Sequence, residues 1–91
     1  MSLVSRSGTI TTGGVAQSLM LADTTRNGFM VQNVSSGDLW INEVGCTASA
    51  AQPSIKIAAG QMYETMDGQP CPFAVSIFGA TTAQAFSARE W

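Results

Sequence analysis

The chain has 91 residues, which is enough for one domain and too few for two. Charged residues make up 11% of it, against about 25% in ordinary soluble domains, and the net charge is −2. The four Lys and Arg residues form no cluster, which argues against nucleic acid because neutralising phosphates needs grouped cations. No apolar stretch is long enough to span a membrane. The sequence therefore predicts a single domain, residues 1–91, with neither nucleic acid nor membrane among its partners.

The shortage of charge predicts what the surface is made of. With so few ions, Ser, Thr, Gln and Asn must supply most of the polar surface, and such groups cost less to desolvate than ions. We therefore expect protein neighbours on much of the exterior, the alternative being an exported β-domain with a Ser/Thr-rich surface. Residues 1–6 have neither the basic nor the apolar region of a signal peptide, so we expect the protein to be made and used from the cytosol outward.

Alternation of apolar and polar residues, interrupted by turn residues, dominates the chain from end to end. It predicts eight short strands: residues 3–12, 15–21, 29–34, 39–44, 54–58, 61–65, 73–78 and 84–91. The second of these could instead be a short helix. Residues 67–72 cannot form a central strand, because two prolines remove backbone donors. The predicted fold is all-β, a small β-sandwich or jelly-roll-like barrel of about eight short, mainly antiparallel strands.

The same alternation predicts the direction of individual side chains. In the second strand it places Val15, Gln17, Leu19 and Leu21 on one face. The side chains expected to point inward are Ile55 and Ile57 in the fifth strand and Phe73, Val75 and Ile77 in the seventh. The opposite face of the seventh strand carries Ala74, Ser76 and Phe78. In the third strand Phe29, Met30 and Val31 suit a central strand that is covered on both sides. Four methionines are expected to fill the core: Met20, Met30, Met62 and Met66.

The residue types needed for common catalytic chemistry are scarce. The chain has no histidine, which removes His-based triads and His metal sites. Asp38 and Asp67 lie in turn sequences, where side chains commonly bond nearby backbone N–H groups. Glu43, Glu64 and Glu90 are expected on alternating strand faces in solvent, and the four cations, Arg6, Arg26, Lys56 and Arg89, on the surface. We therefore expect no enzymatic activity, with no catalytic, cofactor-binding or metal-binding residues.

Two cysteines, Cys46 and Cys71, lie in separate predicted loops. Without a histidine or a third cysteine they do not make a structural zinc site. A disulfide would close a loop of about 25 residues and stabilise the fold by roughly 3 kcal/mol. The absence of an export signal favours two free thiols instead.

Aromatic residues are the best candidates for binding. An exposed aromatic ring can stack on a sugar or anchor a protein interface, so Trp40 and Tyr63 are candidates for either, although Trp40 could equally cover a sheet face. Trp91 is expected in interface or edge packing, the alternative being that it pins the C-terminus into the core. Small residues beside Phe78 suit close approach of another chain. The candidate interface residues are Trp40, Ala74, Ser76, Phe78 and Trp91.

Four segments in order resemble a known family. Residues 26–35 run R-N-G-F-M-V-Q-N-V-S and resemble a pattern R-x-G-hydrophobic-x-hydrophobic-Q-N. They are followed by residues 38–42, 55–64 and 75–91. This order is similar to small β-sandwich virion structural proteins of tailed bacteriophages, and the resemblance covers most of the chain from about Gly8 onward. No functional residues carry over, because the shared pattern consists mostly of turns and core.

The resemblance implies a capsid decoration or cement protein that bridges major capsid subunits on the outside of the shell. It would be made in the host bacterial cytoplasm and located on the capsid surface of the virion. Its expected partners are itself, as a dimer or trimer, and the major capsid protein or other virion proteins. Two alternatives remain: a tail, fibre or baseplate β-module, and a carbohydrate-binding module that uses Trp40 or Tyr63.

Overall fold

The computed structural model describes residues 3–66, 69 and 71–91. These residues form nine short strands: β1 (Val4–Ser5), β2 (Gly8–Thr9), β3 (Gln17–Met20), β4 (Phe29–Asn33), β5 (Leu39–Asn42), β6 (Ile55–Ile57), β7 (Met62–Glu64), β8 (Val75–Gly79) and β9 (Ala85–Glu90). All pairings are antiparallel. The all-β prediction is confirmed, and the two sheets are consistent with a small β-sandwich. No helix among the described residues has the length and apolar character needed to cross a membrane.

The nine strands are divided between two sheets. The first has the order β1-β9-β4-β7, with β2 also paired to β9, and the second has the order β3-β8-β5-β6. Their inner faces meet in one core, made of Ile10, Leu19, Met20, Phe29, Val31, Leu39, Ile41, Ile57, Val75, Ile77, Phe86 and Ala88. Ile55 packs against this core. The inward directions predicted for Ile55, Ile57, Val75 and Ile77 are therefore confirmed.

The first predicted strand is divided into β1 and β2 by Arg6 and Ser7. Ser7 interrupts the backbone pairing with β9, because its Oγ accepts from the Ala88 N–H at 3.0 Å and donates to the Ala88 carbonyl at 3.3 Å. A side-chain hydroxyl thus replaces one step of the backbone ladder. For this reason one predicted strand gives two observed strands.

The face predicted for residues 15–21 is wrong at both ends. These residues include strand β3 and not a short helix, but the register of β3 against β8 shifts between Ser18 and Met20. A β-bulge of this kind inserts one residue and reverses the side-chain alternation beyond it. Leu19 and Met20 are therefore both buried, and Leu21 is exposed. Val15 is exposed as well, because it lies in a turn before the first residue of β3, where its N–H donates to the Thr12 carbonyl.

Phe73 is also placed differently from its prediction. It lies before the first residue of β8 and is 55% exposed. Its backbone carbonyl accepts a hydrogen bond from Nη1 of the buried Arg26 at 2.9 Å. At this position the backbone carbonyl, and not the ring, faces the buried Arg26. The alternation of buried and half-buried side chains begins only at Val75, the first residue of β8.

The methionines show that the first sheet is covered on one face only. Met20 is buried and Met30 is half-buried. Met62, on the edge strand β7, and Met66 are 55% and 74% exposed, so the prediction that they fill the core is wrong. Phe29 and Val31 are buried on the inner face of β4, but Met30 points to an outer face that no further layer of described residues covers. The prediction of a strand covered on both sides is wrong for this reason.

Candidate functional site

The outer face of the second sheet brings together three of the predicted interface residues. In the strand register, Trp40 lies opposite Phe78 on one side and opposite Lys56 on the other, and Ser76 lies opposite Asn42 and Ser18. Residues directly opposite each other in an antiparallel pair project to the same face. Trp40, Ser76 and Phe78 therefore share one face, which we call the Trp40 face.

Aromatic side chains occupy the centre of the Trp40 face. Trp40 and Phe78 are both half-buried. The Lys56 ammonium beside Trp40 lies 3.5 Å from the Asp38 carboxylate, and both side chains are about half exposed. Asp38, predicted to bond backbone in its turn, thus neutralises the cation of this face. The result is an aromatic surface bordered by one exposed ion pair.

Ser76 and Ala74 lie where a loop folds over the Trp40 face. Ser76 Oγ accepts from the Ala48 N–H at 3.0 Å and donates to the Gln17 carbonyl at 3.4 Å. Its hydroxyl is therefore already used within the chain. Ala74 precedes β8 and, with Ser76 and the exposed Cys46, lines an open cavity of about 280 Å³.

Trp91 does not join this group, because it continues β9 in the other sheet. Its backbone N–H donates to the Gly28 carbonyl at 3.0 Å, and its carbonyl accepts from the Gly28 N–H at 3.0 Å. The indole lies against the same glycine, since a Cβ added to Gly28 would come within 2.9 Å of Trp91 Cζ2 and 2.7 Å of Thr65 Oγ1. Trp91 is half-buried and packs on its own chain.

Arg26 and Glu90 form a buried ion pair that the sequence prediction missed. Arg26 Nε donates to Glu90 Oε1 at 3.0 Å, and Arg6 Nε donates to Glu90 Oε2 at 2.6 Å. The side chains of Arg26 and Glu90 are 0% and 3% exposed. The prediction that Arg26 and Glu90 are surface residues is therefore wrong. One signal was present, because Glu90 is in phase with Phe86 and Ala88 on the inner face of β9.

The Arg26 guanidinium joins the two sheets at one end of the sandwich. Besides Glu90 in the first sheet, it donates through Nη1 to the Cys71 carbonyl at 2.8 Å and the Phe73 carbonyl at 2.9 Å. Through Nη2 it donates to the Leu21 carbonyl. Leu21 directly follows β3, and Cys71 and Phe73 lie just before β8. Both strands belong to the second sheet. One side chain thus fixes both sheets at this end.

Asn33 plays the same role at the opposite end of β4. Its Nδ2 donates to the Gly37 carbonyl at 2.6 Å and the Ile57 carbonyl at 2.8 Å, and its Oδ1 accepts from the Ser35 N–H at 2.9 Å. Gln84 extends the network, donating to the Asp38 carbonyl at 3.1 Å. The R-x-G…Q-N pattern therefore has a structural basis, because its Arg and its Asn each hold one end of the sandwich.

Tyr63 lies inside the sandwich edge and not on an open sheet face. Its ring centroid is 5.8 Å from that of Phe29. Burial raises the pKa of Tyr63 well above its ordinary value. A hydrogen bond with Glu43 and the negative charge of Glu43 raise this pKa further. Glu43 itself is half-buried, contrary to its predicted place in solvent, whereas Glu64 is exposed as predicted. Tyr63 and Glu43 line a second cavity of about 280 Å³.

Both cysteines are free thiols. Burial raises the pKa of the Cys71 thiol, although the nearby charge of Arg26 opposes this rise. Within residues 3–66, 69 and 71–91, no three His, Cys, Asp or Glu side chains are grouped so that they could hold a metal ion. Asp67 lies outside the described residues, as do Gly68 and Pro70 in the turn predicted around it.

Comparison with known proteins adds no relative. Neither the protein-family models, nor the curated proteins, nor the solved structures give a match to this chain. The similarity to phage virion proteins stays a prediction from the order of residues, and the chain is assigned here by its fold alone, as an all-β protein consistent with a small sandwich.

Proposed function

We propose that this protein is a structural component of a tailed-phage virion, and that it decorates or cements the capsid exterior by bridging major capsid subunits. The observation that carries the proposal is the Trp40 face, on which Trp40 and Phe78 lie side by side in the strand register. Aromatic residues at the centre of a surface with few ions are typical of protein interfaces. The order of segments that resembles phage virion proteins supports the specific assignment.

A rigid scaffold behind that face favours assembly. Arg26 and Asn33 fix the two sheets to each other at opposite ends of β4. A preorganised surface loses less conformational entropy on binding than a flexible one. The Trp40 face is therefore suited to repeated docking on identical lattice subunits.

Self-association is part of the proposal. Identical subunits usually form closed symmetric oligomers, and a dimer or trimer would contact several capsid subunits at once. Each additional contact then acts at a high effective concentration, so that weak single contacts give firm attachment. The Trp40 face supplies either the contact between copies or the contact with the shell.

The copy number in purified virions tests the capsid location. Quantitative mass spectrometry should find on the order of hundreds of copies per particle, as a symmetric shell requires. About a dozen copies or fewer would instead assign the protein to a tail, fibre or baseplate.

Reconstitution tests the cementing role itself. Shells that lack the protein should break at a lower temperature than complete shells, and added protein should bind them and restore resistance. The variant Trp40→Asp should bind more weakly than the control Leu3→Asp, which alters an exposed apolar residue that lies outside the Trp40 face. Equal resistance of both shells, together with no binding of added protein, would refute the proposal.

A further inference from the structure

A second cavity lies between the two sheets, beside the edge strand β7. Glu43 and Val44, which follow β5 in the second sheet, form one wall, and Tyr63 of β7 forms another. Met66 and Phe73 complete its apolar lining. We call it the Glu43 cavity, and none of the predicted interface residues lines it.

The mouth of the Glu43 cavity is apolar and open to solvent. Val44, Met66 and Phe73 are 54%, 74% and 55% exposed. Large apolar side chains exposed singly are ordinary, but a group of them around one cavity is typical of a binding surface. The mouth is therefore suited to apolar groups of a ligand.

The inside of the cavity holds the Glu43 carboxyl, which hydrogen-bonds with Tyr63, and the described residues that line the cavity include no cation. Glu43 Oε2 is buried and has no hydrogen-bond partner in the part of the chain that the structure describes. A buried polar atom without a partner is costly, so a ligand that donates a hydrogen bond to it gains affinity. The buried cation Arg26 already donates to Glu90 and to the Leu21, Cys71 and Phe73 carbonyls.

The size of the cavity limits what can enter. Its volume of about 280 Å³ is near the lower limit of pockets that hold a drug-sized molecule, about 300–1,000 Å³. A single long side chain fits this space better than a cofactor. An alkyl stem would lie against Val44, Met66 and Phe73, while a terminal cation reached Glu43.

We propose that the Glu43 cavity binds a lysine or arginine side chain that a partner protein presents between apolar residues. The carboxylate supplies charge complementarity, and the exposed apolar mouth accommodates the residues that flank the cation. This inference goes beyond the proposed virion role and does not depend on it, since it concerns a different set of side chains.

Binding of small cations to the isolated protein is the first test. We expect n-butylammonium and n-propylguanidinium to give saturable NMR shifts of the Val44 and Met66 methyl signals and the Tyr63 ring signals. Butanol should bind about tenfold more weakly, because it has the stem without the charge. Shifts that do not saturate, or that are equal for butanol, would overturn the proposal.

Two matched carboxylate variants locate the charge. Glu43→Gln should weaken cation binding by about tenfold or more, since hydrogen bonds to charged groups are the strong ones. Glu64→Gln makes the same charge change on the exposed neighbour of Tyr63 and should leave the affinity unchanged. Phe73→Ala should weaken binding without altering the carboxylate. Equal effects of Glu43→Gln and Glu64→Gln would show nonspecific attraction and overturn the site.

The nature of the partner is tested with short peptides and by sedimentation. A blocked Leu-Lys-Leu peptide should bind more tightly than a blocked Ser-Lys-Ser peptide, because the apolar mouth contacts the flanking residues. If free butylammonium bound as tightly as the apolar peptide, the site would serve free amines and the partner assignment would be wrong. If Glu43→Gln lowered the sedimenting mass, the occupant would be a second copy of this chain, which would also overturn that assignment.

Discussion

Arg26 and Glu90 are 64 residues apart in the chain and meet inside one end of the sandwich, where Arg26 Nε lies 3.0 Å from Glu90 Oε1. Burying two charges is costly, and their attraction offsets the cost only when the remaining donors and acceptors are also bonded. Here Arg6 bonds the second carboxylate oxygen, and three backbone carbonyls accept from the guanidinium. The pair therefore fixes the relative position of the sheets, and losing one member should be far more costly than losing a surface charge.

Replacing Arg26 tests this interpretation. Arg26→Met should lower the free energy of unfolding by about 3–5 kcal/mol, because it leaves Glu90 Oε1 and the three carbonyls without their donor. Arg89→Met is the matched control, since Arg89 is the exposed neighbour of Glu90 on β9, and should change it by about 0.5 kcal/mol or less. Urea unfolding of both variants gives the comparison. Similar values for the two variants would contradict the structural role of Arg26.

Asn33 provides the corresponding prediction at the other end. Asn33→Ala removes the donor to the Gly37 and Ile57 carbonyls and the acceptor for Ser35. Each buried group left without a partner costs about 1–3 kcal/mol, so the melting temperature should fall markedly. Asn27→Ala, at an exposed position, should leave it nearly unchanged. A small effect at Asn33 would mean that water replaces these bonds.

Ile77 and Phe73 test which part of residues 73–78 is inside. Ile77 is fully buried and Phe73 is exposed. Ile77→Ala should therefore cost about 2–5 kcal/mol as a large-to-small change in the core, whereas Phe73→Ala should cost about 0.5 kcal/mol or less. Thermal or urea unfolding measures both. A large loss for Phe73→Ala would restore the inward face that simple alternation predicts.

Alternation predicted the strands well where apolar residues on one face are buried. Leu39 and Ile41 on β5, and Val75 and Ile77 on β8, are all buried as the pattern requires. The prediction from alternation fails where an extra residue in a strand interrupts the two-residue repeat. The bulge between Ser18 and Met20 buries two neighbours in β3, and nothing in the local composition marks its position.

The sequence prediction missed the buried polar residues for a different reason. Arg26 and Glu90 are buried only because each is the other's partner, and their contact joins segments distant in sequence. Residue type alone assigns a charge to the surface, since unpaired ions are rarely buried. The cavity around Glu43 was missed likewise, because its walls come from two different sheets. By contrast, Trp40 and Phe78 were both predicted as interface residues, and the strand register places them side by side.

The two thiols should react at different rates. Cys46 is exposed, whereas Cys71 is half-buried and burial raises its pKa. Since the thiolate is the reactive form, a raised pKa lowers the reactive fraction of Cys71 near pH 8. Iodoacetamide should therefore label Cys46 first in the folded protein, and denaturation without reductant should give two labels per chain. Peptide mass spectrometry follows both sites. Failure to label either cysteine after denaturation would reveal a disulfide.

Self-association through the Trp40 face is the final prediction. Phe78 lies opposite Trp40 on that face, so a carboxylate at position 78 would be desolvated without a partner in any contact made there. Sedimentation at micromolar concentration should give the mass of about two or three chains for the natural protein, and of one chain for Phe78→Asp. The control Phe73→Asp makes the same change on an exposed aromatic near the Glu43 cavity and should keep the oligomer.

The paired design separates the two surfaces. If Phe73→Asp dissociated the oligomer and Phe78→Asp did not, the contact between copies would lie at the Glu43 cavity, and the Trp40 face would be left for other partners. If neither variant changed the mass of an existing oligomer, both surfaces would be excluded as its main contact. A monomeric natural protein would restrict self-association to the capsid surface, where neighbouring sites raise the effective concentration. In that case Phe78→Asp should still reduce the number of copies bound per shell, because the contacts between copies that cooperate in binding would be lost.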